Sequence, residues 1–237
     1  MSAPSTSVHV DPAEQVAPTA RGGAAQSRVD ILAAAAQCFR ELGFSATSID
    51  DVARRLGATK GMVYHHFRSK TDLFFEVYRS AMAINEAAIA PHLASSASAE
   101  EKLAKMAFAH ARVLMEQQAY QRVLLQGFSW HKQGATTAAQ RETLDELIAS
   151  SASYEATFRQ AIAAAAKASG LEVSDPALAT KSFLAVLNST VYWYAPRGDN
   201  PAREQARLAR ELVCFAMRGL GCAIPDNLDV NEETENE

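Results

Sequence analysis

Residues 58–74 read ATKGMVYHHFRSKTDLF. In an alanine-rich chain, this stretch gathers Lys60, Gly61, Met62, Tyr64, His65, His66, Arg68 and Lys70 within a dozen residues. Its pattern predicts a short helix over about Thr59 to Phe67 and a break at Arg68-Ser69. A new helix then opens on the Ser-x-x-Asp start formed by Ser69 and Asp72. On a helical wheel, Val63 and Phe67 share the packed side. Gly61, His65 and Arg68 lie near the opposite side, with Tyr64 and Met62 on the flanks. His65 and His66 project about 100° apart, so one faces outward and the other lies toward the packed flank. Gly61 costs a helix about 1 kcal/mol relative to Ala. Close approach of the backbone to a partner is a reason to keep it.

Upstream, Ser27 and Asp30 form another Ser-x-x-Asp start, here for a first helix. Ile31, Ala35, Phe39 and Leu42 form its apolar face and Gly43 its stop. A second helix runs from about Ser48 to Leu56, with Ile49, Val52, Ala53 and Leu56 inward and Gly57 at its end. Two short helices separated by Gly57-Ala58, after a longer first one, make a helix-turn-helix. The second of the pair must pack through a narrow apolar stripe and leave a polar face free for a major groove. Between Arg28 and Arg79 there are eight basic and six acidic residues, a net of +2. The six acids after Pro225 meet no base, so the chain's net charge of −4 is concentrated away from this segment.

The segment from about Arg28 to Met82 resembles the DNA-binding domain of the TetR/AcrR family of bacterial transcriptional regulators. The resemblance rests on Ala35 and Phe39, Gly43-Phe44, Thr47-Ser48, Asp51-Val52-Ala53, Leu56-Gly57, Lys60-Gly61, Val63-Tyr64, His66-Phe67, and Ser69-Lys70 followed by Leu73. It implies a cytoplasmic homodimer that binds a palindromic operator in double-stranded DNA and releases it when a small molecule enters the C-terminal body. On that pattern Thr47 and Ser48 contact phosphates, and Lys60, Gly61, Met62, Tyr64 and His65 face bases and backbone. Lys70 holds a phosphate from the start of the fourth helix. Ala58 departs from the Ser or Thr that many members carry as the cap of the recognition helix, which leaves Thr59 to cap it.

The rest of the chain also reads as helix. The fourth helix ends at Pro91, and others follow at about 99–117, 119–132, 136–168, 175–195 and 201–219. No alternating pattern predicts a strand. The expectation is an all-α protein of about nine helices, in four parts. Residues 1–26 form a disordered arm and 27–72 the helix-turn-helix domain. Residues 73–222 form a helical ligand-binding and dimerisation body, and 223–237 an acidic disordered tail. Polar and aromatic residues interleave on the body's helical faces. Their default reading is core packing, but the family resemblance implies a mostly apolar ligand cavity among helices four to eight, and His110, Phe128, His131, Tyr154, Phe158, Asn188, Thr190 and Trp193 are the candidates for lining it. The segment from Asn188 to Asp199 loosely resembles the Trp-Tyr-x-Pro helix ending of family members that sense acyl-CoA thioesters, so the effector expected is apolar or acyl-CoA-like. By family position the last two long helices form the dimer interface, with Leu208, Leu212, Phe215 and Ala216 as its stripe.

Composition limits the alternatives. No apolar run is long enough to span a membrane, and the N-terminus has neither a basic start nor an apolar segment of a signal peptide. Cys38, Cys214 and Cys222 are odd in number, far apart and set in apolar helical patterns, as buried thiols are. The six histidines are scattered and form no metal-binding pair. There is also no phosphate loop and no nucleophile elbow. No cofactor is expected, and a helical enzyme is the weaker reading. A further alternative keeps the DNA-binding domain and makes the body a dock for another protein.

Overall fold

The computed structural model describes residues 24–130, 137–197 and 199–225, with residues 24–26 and 127–130 in backbone only. Ten helices follow one another: α1 (Ala24–Ala46), α2 (Ile49–Leu56), α3 (Lys60–His66), α4 (Lys70–Leu93), α5 (Ala99–Glu116), α6 (Gln118–Trp130), α7 (Ala138–Ala168), α8 (Pro176–Asn188), α9 (Thr190–Trp193) and α10 (Pro201–Leu220). No strand occurs among the described residues, as the sequence pattern predicts. The expectations for residues 1–23 of the N-terminal arm and 226–237 of the acidic tail fall outside the described set, while residues 24–26, expected in the arm, are helical.

Local chemistry sets the boundaries. Ser48 caps α2 by accepting from the Asp51 amide while Asp51 reaches back to the Ser48 amide, a reciprocal box. Gly57 closes α2 at φ 67°, a left-handed conformation that a side chain would strain. Thr59 caps α3 by accepting from the Met62 amide, which settles the register that Ala58 leaves open. Ser69 caps α4 in the same way. Gly43, the expected stop, breaks the helical backbone of α1 at φ 78°, and the turn from Gly43 to Thr47 leads into α2. Three other boundaries differ from expectation. α1 already includes Ala24, Ala25 and Gln26, good helix formers, so Ser27 lies inside the helix and not at its cap. α4 runs through Pro91 to Leu93, so the proline, close to the helix end, forfeits one ladder bond without stopping the helix there. The predicted helix at 175–195 is interrupted at Ser189. There the hydroxyls of Ser189 and Thr190 bond back to the carbonyls of Val186 and Leu187, competing with the backbone ladder.

Two apolar cores form. One holds α1, α2 and α3 together through Ile31, Phe39, Val52, Val63 and Phe67. It does not stop at residue 72: Leu73 to Met82 of α4, Ala119 and Val123 of α6, and Leu147 of α7 belong to it. The other fills the body, where Leu103, Met106, Phe158, Phe183, Leu187, Val213 and Met217 join α5, α7, α8 and α10. Tyr154 packs against both cores. Helices α4 and α7 therefore connect the N-terminal unit to the body. At the N-terminal end Gln140 of α7 donates to Ser69 and Asp72 at the start of α4. Further along the two helices, Tyr78 bonds Ser151.

Candidate nucleic-acid interface and cavity

Helix α3 keeps Val63 fully buried and leaves Lys60, Gly61, Tyr64 and His65 exposed. The expected face is thus present. Lys60 ion-pairs with Asp50 at 2.9 Å and lies over the Tyr64 ring. Its pKa is raised by that carboxylate. Ser48 is exposed beside them at the start of α2. Met62 is half-buried against the N-terminal core, so only part of it faces outward. His66 is half-buried and edge-on to His65, in line with its predicted inward position.

Gly61 stands out. It is helical and exposed, and a Cβ built on it meets only Thr59 Oγ1, at an ordinary 3.8 Å. Nothing inside the protein requires glycine there.

Two of the expected phosphate contacts are engaged within the protein itself. Thr47 is only 2% exposed. Its hydroxyl donates to the carbonyls of Gly43 and Cys38, holding the corner after Gly43. The Lys70 ammonium donates to the carbonyls of Phe44, Ser45 and Thr47 at 2.8, 3.2 and 2.7 Å and lies over the Phe44 ring. All three of its N–H donors are engaged, so it clamps the α1–α2 loop. Burial pulls its pKa down, a cost that the three carbonyls offset. Arg68, which the sequence pattern does not single out as a site residue, is exposed beyond α3 and has no carboxylate partner among the described residues. The neighbouring cations Arg54, Arg55 and Arg28 pair with Asp51, Glu41 and Glu76.

At the seam of the two cores lies a cavity of about 110 Å³ between α4, α5, α6, α7 and α8. Met82, Leu114, Leu124, Leu125 and Leu184 supply its apolar wall. Buried His110 bonds Asn188 Oδ1 through Nε2 and Tyr154 through Nδ1, both at 3.0 Å. Because Asn188 Oδ1 only accepts, Nε2 carries the proton and the Tyr154 hydroxyl donates to Nδ1. Burial lowers the His110 pKa to about 4 and raises that of Tyr154. Opposite, Asn85 and Gln121 are buried and bond each other reciprocally at 3.1 and 2.8 Å.

The pocket candidates divide. His110, Tyr154 and Asn188 meet in this cavity. Phe158 packs behind them in the body core, its ring 5.6 Å from the His110 ring. Thr190 is fully buried and its hydroxyl is turned back onto α8. Trp193 is 49% exposed, with its indole donating to Ser189 on the surface. The side chain of Phe128 and all of His131 lie outside the described residues. Asn85, Gln121, Ser151 and Glu155 also line the cavity, beyond the residues expected there. Asn85 lies between Met82 and Ile89 in the apolar stripe of α4, a polar interruption that a helical wheel reveals. Among the described residues no group of three or more His, Cys, Asp or Glu could hold a metal ion.

Two family models match the chain. That for bacterial regulatory proteins of the tetR family covers residues 31–77, and that for the tetracyclin repressor-like C-terminal domain covers 96–220, more than half of the chain. The chain belongs to the TetR family. The helix-turn-helix regulator AcrR of Shigella flexneri is 40% identical over 55 residues, 23% of this chain and 26% of AcrR. The repressor KstR2 of Mycobacterium tuberculosis is 32% identical over 107 residues, 42% of this chain and 54% of KstR2. The aligned part thus spans about a quarter to a half of these relatives. Among solved structures, the TetR regulator PfmR of Thermus thermophilus superposes with a TM-score of 0.66 at 29% identity, covering 79% of this chain and 97% of PfmR. AibR, solved with isovaleryl coenzyme A and operator DNA, shares the fold with a TM-score of 0.64 at 21% identity, over 80% of this chain and 97% of AibR.

Proposed function

We propose that this TetR-family protein is a transcriptional repressor that binds a palindromic operator as a homodimer and leaves it when a small molecule fills the cavity. The observation that carries the DNA reading is Gly61. A helix keeps a residue that costs it about 1 kcal/mol, on an exposed face with room for a methyl group. Close approach of a duplex backbone or base edge is a use for that absence. Around it, Lys60, Tyr64, Arg68 and the α2 start at Ser48 supply phosphate contacts. His65 and the exposed part of Met62 read base edges. Lys60 exchanges Asp50 for a phosphate on binding, and an exposed pair is easily exchanged.

The dimer reading rests on α8 and α10. Leu178 of α8 is 62% and Phe215 of α10 67% exposed, while Leu208 and Leu212, half-buried, share the α10 face of Phe215 by their spacing. Ala216, expected in the same stripe, is buried in the body core and takes no part. A second copy covering this face would remove the apolar surface from water.

Ligand entry reaches the reading head through helices that touch both. Met82 and Asn85 line the cavity on α4, and Ser151, Tyr154 and Glu155 line it on α7. Displacing either helix moves Ser69 and Asp72, and with them α3, out of register with successive major grooves about 34 Å apart.

The test is equilibrium binding to duplex DNA by fluorescence anisotropy across a salt series. Sequence-selective affinity that falls steeply with salt is expected. Binding that is absent or indifferent to sequence would refute the reading.

A further inference from the structure

The chemical class of the effector can be read from the cavity wall, an inference that rests on the regulatory reading above. The wall contains no lysine or arginine, and its one carboxylate is Glu155. The imidazole of His110 is neutral, since burial keeps its pKa at about 4. An anionic ligand would therefore be buried with no counter-charge and beside a carboxylate, an expensive arrangement.

The hydrogen-bonding groups point the same way. His110 spends both ring nitrogens, and the Tyr154 hydroxyl spends its proton on Nδ1. Asn188 gives its oxygen to His110 and keeps its amide N–H₂ group without a protein partner among the described residues. In the reciprocal Asn85–Gln121 pair each amide nitrogen has used one N–H and retains a second. The unspent hydrogen-bond protons on the wall are thus amide N–H groups, while its spare acceptors are the Glu155 carboxylate and the remaining lone pairs of the amide and phenol oxygens. A carbonyl oxygen, uncharged and with two lone pairs, is the group that satisfies those N–H groups. Size narrows the class further. An apolar cavity of about 150 Å³ accommodates the six carbons of benzene, so about 110 Å³ encloses about four or five non-hydrogen atoms, a carbonyl group with a short carbon chain.

We propose that the cavity binds a small uncharged carbonyl compound, its oxygen held by the Asn188 amide and its short carbon chain against Leu114, Leu124 and Leu184, and that it rejects the corresponding carboxylate and coenzyme A thioester.

Butyramide, sodium butyrate and butyryl-coenzyme A are matched probes, with the acyl chain constant and the head group varied. Ligand-observed NMR titration of the full-length, DNA-free protein at pH 7.5 should show butyramide binding at least tenfold more tightly than butyrate. Butyryl-coenzyme A should not compete with it. Asn188→Asp keeps the acceptor for His110 and removes the donors, so butyramide affinity should fall at least tenfold while circular dichroism reports a folded protein. Glu155→Gln should narrow the gap between butyrate and butyramide. Butyrate or the thioester binding as tightly as butyramide would overturn the proposal. So would an Asn188→Asp protein that is folded and binds butyramide normally. DNA binding is measured separately. If the protein selects an operator and butyramide does not bind, the carbonyl proposal fails and the regulatory reading stands. If it selects no DNA, the regulatory reading fails whatever the cavity binds.

Discussion

Replacing Gly61 with Ala separates folding from function. The position is helical, exposed and without positive φ, and an added Cβ meets nothing closer than Thr59 Oγ1 at 3.8 Å. The methyl group therefore costs nothing in the free protein and removes the entropic penalty of glycine. A gain of about 0.5–1 kcal/mol follows, which raises Tm by about 1–4 °C for a chain of this size. On DNA the same methyl occupies space that the duplex requires. The expected loss of affinity is about 1–3 kcal/mol, roughly five- to 150-fold. Thermal melts followed by circular dichroism give the first quantity, and fluorescence anisotropy on the selected operator at constant salt gives the second. A variant that is more stable and binds DNA less tightly supports the reasoning. Unchanged operator affinity would refute it, because Gly61 would then have no partner. A lower Tm would contradict the free space seen beside it.

Other perturbations follow from the same geometry. Lys70→Met removes three donors from the α1–α2 loop, so the protein should lose about 2–3 kcal/mol of stability in urea titrations. A drop in DNA affinity and salt slope with stability unchanged would make Lys70 a phosphate contact after all. His110 has a folded pKa of about 4, below the unfolded 6.5, so its contribution is complete above pH 6.5 and is lost as pH falls toward 4. About 3 kcal/mol should disappear over that window, and denaturation of His110→Gln should show a flatter pH dependence. Asn85→Leu should cost about 1–3 kcal/mol by stranding the buried Gln121 amide. Adding Gln121→Leu should recover part of that loss, and simple additivity would show that the pair is not coupled. Phe215→Lys should leave the helical fold intact and give a monomer in light scattering; a dimer that persists would place the interface elsewhere.

Much of the fold is legible in the sequence because short-range chemistry decides it. Ser48, Gly57 and Ser69 mark helix ends by caps that need no tertiary context. Val63 and Phe67 reveal the packed side of α3 by spacing alone. The intramolecular bonds of Thr47 and Lys70 are not legible in the sequence, because a hydroxyl and an ammonium near a helix start serve a phosphate or a backbone carbonyl equally well. Only the folded turn between α1 and α2 brings the Phe44, Ser45 and Thr47 carbonyls to Nζ. The cavity is legible in its histidine and tyrosine but not in its amide pair. Asn85 and Gln121 are 36 residues apart and acquire meaning only when α4 and α6 pack together. Thr190 and Trp193 lie on a helix whose interruption at Ser189 turns one inward onto α8 and the other to the surface.

The most direct test of the central claim is selection of duplexes from a random pool by the purified full-length protein. The expected result is enrichment of an inverted repeat whose half-site centres lie one helical turn, about 10 base pairs, or a multiple of it apart. Substitution of His65 or Met62 should change the enriched bases. A pool that emerges without any enriched repeat, or with the same bases after both substitutions, would contradict the assignment of α3 as the reading helix.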